Sequence, residues 1–267
     1  MNPRIALLSA ALSLAGCVTS SESPQFSSEK YSMKQASQEN VALGIRYLQQ
    51  GQRDVAMQKI QKALQQDSDN AQAYMAEAMV YAVTGDSQRA EDNYKIALRK
   101  GPDDPEIQNN YATYLCQHGR PKDSVDYFLK AAVNPLYATP DWAYANAGLC
   151  AGQIPDPAAS EQYFRRALQI NPNLPGALFG MAQLSYNQKK YLQARAFIER
   201  YTALAGQPDS GVQLSPDILM LGVQTEQALG NRQGASDYVK QIYKRFPDSP
   251  QAQQLSNQAG GHAGNPG

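Results

Sequence analysis

The sequence predicts an all-α fold, a superhelical solenoid of about six helix–turn–helix repeats, on three observations. The first is a 34-residue rhythm: Gly44, Tyr47, Gly51, Ala56 and Ala63 are followed by Ala78, Tyr81, Gly85, Ala90 and Ala97. The second is glycine at Gly51, Gly85, Gly119 and Gly230, where the first helix of each pair should stop. A residue without Cβ takes the positive φ of a helix C-cap at little cost. The third is Pro102, Pro172 and Pro247, which close second helices because proline cannot continue a helix and biases the preceding residue out of it. A single helix pair cannot bury its own apolar stripe, so such units must stack on one another.

The units follow in order: 37–70, 71–104, 105–138, 141–174, 175–208 and 216–249. Unit three carries Tyr111, Ala112, Leu115, Gly119, Phe128 and Ala131 in register, and two extra residues separate it from unit four. Unit four shows Tyr144, Ala147, Gly148, Phe164, Ala167 and Pro172; unit five shows Leu178, Met181, Ala182, Ala194 and Ile198. A polar stretch, Gly206 to Leu214, interrupts the rhythm before unit six with Gly222, Gly230, Ala235 and Pro247. Residues 251–267, ending in glycine-rich sequence, are expected to be a disordered tail. The spacing of small and aromatic residues resembles that of a tetratricopeptide (TPR) array, which implies a right-handed superhelix with a long concave face.

Composition narrows the function. Lys+Arg and Asp+Glu both number 24 in 267 residues, so the chain lacks the basic footprint of a nucleic-acid binder. Apolar residues make up 42%, ample for a repeat core, and 16 Tyr against one Trp suit helix-interface aromatics.

The N-terminus reads as an address. Arg4 precedes an apolar run, Ile5 to Ala15, too short to span a bilayer. Leu14-Ala15-Gly16-Cys17 resembles the bacterial lipobox, which implies a signal peptide over residues 1–16 and diacylglycerol on Cys17. Several acyl chains hold far better than one, since each buried CH2 adds about 0.8 kcal/mol. Val18 after the Cys favours, by analogy with lipoprotein sorting, the periplasmic face of the outer membrane. Residues 17–36, rich in Ser and Gln without an apolar period, are expected to form a flexible tether spanning about 25 Å.

Cys116 and Cys150 both fall late in the first helices of adjacent units. Such helices pack side by side, and an oxidising compartment favours a disulfide; two separate buried thiols are the alternative. No G-x-S-x-G, H-E-x-x-H, P-loop or dinucleotide fingerprint occurs. Cys116 and His118, two apart on a helix, point away from each other. With only His262 besides, they could not complete a zinc set. Asp103-Asp104 sits at a repeat junction that suits short polar residues. The expectation is a non-enzyme with no cofactor, no metal and no small-molecule substrate.

A partner is expected in the concave groove, lined by first-helix positions two, five, nine, twelve and thirteen. Beside Gln38, Gln49 and Gln72, those positions are apolar in units one and two: Val41, Ile45, Leu48, Met75, Met79, Ala82 and Val83. They turn polar in unit three, with Glu106, Asn109 and Thr113, and in unit six, with Asp217 and Gln224. An open apolar groove invites an apolar strand or amphipathic helix of another protein, and Met adapts to varied partners. Alternatively residues 22–36, with Tyr31 and Met33, fold back and cover it.

The lipidated N-terminus, six repeats, the two Cys of units three and four, and the stretch Asn109-Asn110-Tyr111-Ala112-Thr113-Tyr114-Leu115-Cys116 together resemble the PilF/PilW family over essentially the whole chain. The resemblance implies an outer-membrane lipoprotein pilotin that carries type IV pilus secretin subunits to the outer membrane and promotes their assembly. A general periplasmic adaptor for envelope or peptidoglycan enzymes would share the anchor and the repeats.

Overall fold

A computed structural model describes residues 25–154 and 157–262, which are all-α. Six helical hairpins follow one another. They are α1 (Gln25–Gln49) with α2 (Arg53–Gln66), α3 (Ala71–Thr84) with α4 (Ser87–Lys100), and α5 (Pro105–Gln117) with α6 (Pro121–Val133). Next come α7 (Pro140–Ala151) with α8 (Pro157–Ile170), α9 (Pro175–Asn187) with α10 (Tyr191–Ala205), and α11 (Pro216–Ala228) with α12 (Arg232–Arg245). A further helix, α13 (Pro250–His262), ends the array. The signal-peptide residues, Cys17 and the first part of the expected tether lie outside the described residues.

Helix ends obey the chain's own signals. Asn70 accepts hydrogen bonds from the Gln72 and Ala73 amides, and Asp104 from those of Glu106 and Ile107, so each caps the helix that follows. Pro stands in the first turn of α5, α7, α9 and α11, where its missing N–H is not needed. The turn inside units one, two, three and six carries Gly51, Gly85, Gly119 and Gly230 at φ between 74° and 86°. In unit five Lys189 occupies the same place at φ 59°, a conformation that costs a side-chain-bearing residue about 1 kcal/mol or more.

Second helices bury a small–large–small ridge: Ala56, Ile60 and Ala63 in α2; Ala90, Tyr94 and Ala97 in α4; Ser160, Phe164 and Ala167 in α8. The small members let the paired first helix approach, and the large one fills the space left. Phe164 shows the limit. A Cβ on Gly148 would come within 2.8 Å of its ring and one on Gly180 within 2.2 Å, so the ring sits between two helices that only glycine lets so close. The cores straddle unit boundaries. One joins Val41, Ala56 and Ile60 to Ala73, Ala76 and Val80; another joins Met75 and Tyr94 to Ile107, Tyr111 and Leu115. Each unit thus depends on its neighbour, the stacking logic of a solenoid.

Two expectations fail at the ends. Residues 25–36 are the first three turns of α1, which is 25 residues and about 37 Å long, rather than part of a flexible tether. Nothing in Gln25–Ala36 breaks a helix, and extending one already nucleated by packing costs little. Residues 251–262 are likewise helix, not disordered tail. Ala252 and Leu255 are buried against the core of Leu219 and Ile242, and Gln251 donates to Asp217 at 2.6 Å. The glycines at the end of this segment masked that short apolar pair in the composition.

Candidate partner-binding groove

Counting each unit from Ser37, Ala71, Pro105, Asp141, Pro175 and Pro216, burial of the first helices follows position. Position five is packed: Val41 is 3% and Met75 4% exposed, and Ala145 and Met220 are also buried. Position two is exposed in Gln38, Gln72, Glu106, Trp142 and Asp217, and position thirteen in Gln49, Val83, Gln117 and Asn187. Position nine is half-buried in Ile45, Met79, Thr113 and Gln183, and position twelve in Leu48, Ala82, Cys116 and Tyr186.

Val41 and Met75 therefore do not line an open groove, contrary to expectation. The fifth residue of a first helix meets the first helix of the next unit: Val41 lies with Ala73, Ala76 and Val80 of α3, and Met75 with Ile107 of α5. Ile45, Leu48, Met79 and Ala82 keep part of their surface, and Val83 is 50% exposed. Tyr31 and Met33 stand exposed on the N-terminal extension of α1, so residues 25–36 do not fold back over this face.

The positional rule also finds two residues that the expectation omitted. Trp142 (50% exposed) and Leu149 (53% exposed) occupy positions two and nine of unit four, seven residues apart on α7. The expectation read these positions in units one, two, three and six only and passed over unit four, whose start at Asp141 already allows for the two inserted residues. The groove thus has two apolar openings, in units one and two and in unit four. Between them unit three is polar: partial desolvation by its neighbours raises the pKa of the Glu106 carboxyl although the residue is largely exposed, the Asp104 charge adds to it, and the buried Oδ1 of Asn109 has no partner among the described residues.

The scaffold under this face is tied across units. Cys116 and Cys150 form a disulfide with Cα atoms 5.9 Å apart and one repeat length, 34 residues, between them. It clamps α5 to α7, where the insertion interrupts the stack, and closing such a loop is worth about 4 kcal/mol in the chain-entropy account. Tyr94, Tyr111, Tyr114 and Tyr127 pack in and beside unit three with ring centroids 5.1–6.3 Å apart. The Tyr114 hydroxyl donates to the Ser87 carbonyl at 2.8 Å, and Arg120 reaches Glu91 of unit two at 2.8 Å. Glu226, buried in α11, takes both arms of Arg195 from α10, at 2.7 and 2.5 Å, and the Asn231 amide at 2.7 Å.

The residues weighed for chemistry are engaged in structure. The Cys116 sulfur is bonded to Cys150, His118 stacks on Tyr114 at 4.0 Å with Nδ1 on the Tyr114 carbonyl, and Asp104 caps α5. Among the described residues no group of three His, Cys, Asp or Glu is placed to hold a metal ion, and no helix is long and apolar enough to cross a membrane.

Comparison with known proteins gives these features a context. A tetratricopeptide-repeat family model matches residues 41–105 and 75–141, and a second such model matches residues 156–214. The chain is 29% identical over 245 residues to the type IV pilus assembly protein PilF of Pseudomonas aeruginosa, covering 92% of this chain and 94% of that one. The crystal structure of PilW, a widely conserved type IV pilus biogenesis factor, superposes with a TM-score of 0.74 at 30% identity, over 83% of this chain and 98% of that one. The structure of Pseudomonas aeruginosa PilF gives a TM-score of 0.72 at 27% identity, over 85% and 99%.

Proposed function

We propose a function on the premise that this chain belongs to the PilF/PilW family of tetratricopeptide-repeat proteins of type IV pilus biogenesis: it is a pilotin, an outer-membrane lipoprotein that binds secretin subunits and promotes their assembly. Cys17 carries the lipid and fixes the protein to the periplasmic face of the outer membrane. The repeats recognise the secretin, and holding subunits at one membrane raises their effective concentration for ring formation. Pilus formation and twitching motility depend on the result.

The observation that supports this reading most is likeness along nearly the whole length to pilus biogenesis proteins, combined with apolar side chains left open on the first two units. Ile45, Leu48, Met79, Ala82 and Val83 present a strip suited to an amphipathic helix or apolar strand. Each such side chain contributes about 1.5–3 kcal/mol when fully covered, before the cost of association. The test is secretin localisation and multimer content in a deletion strain complemented with the wild type, with Cys17→Ala, or with Met79→Glu combined with Val83→Glu. Cys17→Ala should leave secretin away from the outer membrane. The double variant should keep its helical circular dichroism and lose secretin in co-purification. Secretin recovered normally with both variants would defeat the proposal.

A further inference from the structure

The segment that breaks the repeat rhythm builds a second feature, unrelated to the apolar strip of units one and two. The Gly206–Leu214 stretch runs between α10 and α11 and closes a cavity of about 540 Å³ against the N-terminal end of α7 and the α8–α9 turn. The loop is held in place. The Tyr201 hydroxyl donates to the Gln213 carbonyl at 3.0 Å, the Ser210 hydroxyl donates to the Gln207 carbonyl at 2.9 Å, and that hydroxyl accepts the Val212 amide at 3.2 Å. A wall already fixed loses little freedom when a ligand arrives.

The lining has a distinct chemistry. Trp142, the single tryptophan of the chain, stands half exposed at the rim, and Tyr201 forms part of the wall. Buried Leu174 and Leu204 lie behind them. Polar lining groups are chiefly amides: Asn171, Asn173, Gln207 and Gln213. Among the described residues no carboxylate, ammonium or guanidinium lines the cavity. Asn171 is committed, donating to Asp141 at 3.0 Å and accepting the Asn173 backbone amide at 3.1 Å. Asn173, Gln207 and Gln213 are exposed, and their side-chain amides make no hydrogen bond among the described residues, so water is what a ligand would displace from them. Each offers two donors and an acceptor without charge.

A ligand that matches must carry a flat apolar face for the indole and a rim of neutral groups that both donate and accept. A charged ligand would leave water for a site with no counter-charge, at high cost. A purely apolar side chain would displace water from the amides without replacing its hydrogen bonds. A pyranose ring has the required combination: axial C–H bonds on its face and hydroxyl or acetamido groups around its edge. We propose that this cavity binds a neutral saccharide, with Trp142 as the stacking platform and Asn173, Gln207 and Gln213 as the hydrogen-bonding rim.

Because Trp142 is the only indole, tryptophan emission reports the cavity and the adjoining unit-four opening of the groove, and an apolar peptide serves as the control that separates them. The experiment titrates the full chain with triacetylchitotriose and with maltotriose. A saturable emission shift, half complete at about 1 mM, is expected with at least one of them. That shift should fall at least about tenfold in apparent affinity in Asn173→Ala combined with Gln213→Ala, since two rim hydrogen bonds are removed. Thermal melting of the double variant guards against a folding defect, and calorimetric titration of Trp142→Ala should show no heat of binding. Co-sedimentation with purified peptidoglycan distinguishes a polymeric glycan from a free oligosaccharide, and binding to either supports the site. Emission unmoved by every sugar and no co-sedimentation would overturn the proposal. So would a response unaltered in a folded Asn173→Ala, Gln213→Ala variant, or a shift produced by an apolar peptide and by no sugar.

Discussion

The first two units and the fourth solve one geometric problem in opposite ways. In α1 and α3 the fifth position carries a large side chain, Val41 or Met75, which is consumed in packing against the next first helix. In α7 that position is Ala145, and the large apolar residues stand instead at positions two and nine, Trp142 and Leu149, facing outward. Apolar content alone therefore does not mark a docking surface; the position within the unit decides whether a side chain holds the scaffold together or is left for a ligand. A buried residue here is spent on stability, and only the exposed remainder is free for recognition.

That contrast can be broken by substitution. The largest effect is expected for Met75→Glu, which places a carboxylate in the apolar core of Tyr94, Ile107 and Leu115 and should cost about 4 kcal/mol or more by denaturant unfolding. Full-strength folding of that variant would mean the fifth position is open after all. Removing the clamp between units three and four, with Cys116→Ala and Cys150→Ala together, should cost up to about 4 kcal/mol and lower the melting temperature; reductant should do the same to the wild type and nothing to the variant. Val41→Ala should cost about 2 kcal/mol through the lost burial and the cavity left behind. Lys189→Gly should stabilise by about 0.5 kcal/mol, because glycine relieves the positive φ but gives back some of that gain as unfolded-state entropy. The smallest change belongs to the exposed side of the comparison: Leu149→Ala should move stability by no more than about 0.5 kcal/mol in a thermal melt.

Much of the architecture was legible in the chain. Gly51, Gly85, Gly119 and Gly230 mark turns that need positive φ, and Asp104 followed by Pro105 writes a helix start. For Cys116 and Cys150 the chain placed both late in the first helices of neighbouring units but at positions twelve and ten, out of register, and it is the packing of α5 on α7 that brings their Cα atoms within 5.9 Å. The ends were less legible. Residues 25–36 have no apolar period because their helix projects beyond its neighbours, and the Ala252–Leu255 contact is too short to register as a pattern. In the groove the positions were known but their burial was not. Val41 looked free because nothing in its own helix covers it, and Trp142 stands at position two, which is polar in units one, two, three and six as Gln38, Gln72, Glu106 and Asp217.

The sequence alone determined the repeat length, the hairpin turns, the helix caps and the pairing of small with large residues, since each is a local or strictly periodic constraint. Tertiary structure decided which apolar residues remain in contact with water and what the Gly206–Leu214 interruption encloses. Those depend on how closely successive units approach, and that distance is set jointly by side chains a full repeat apart.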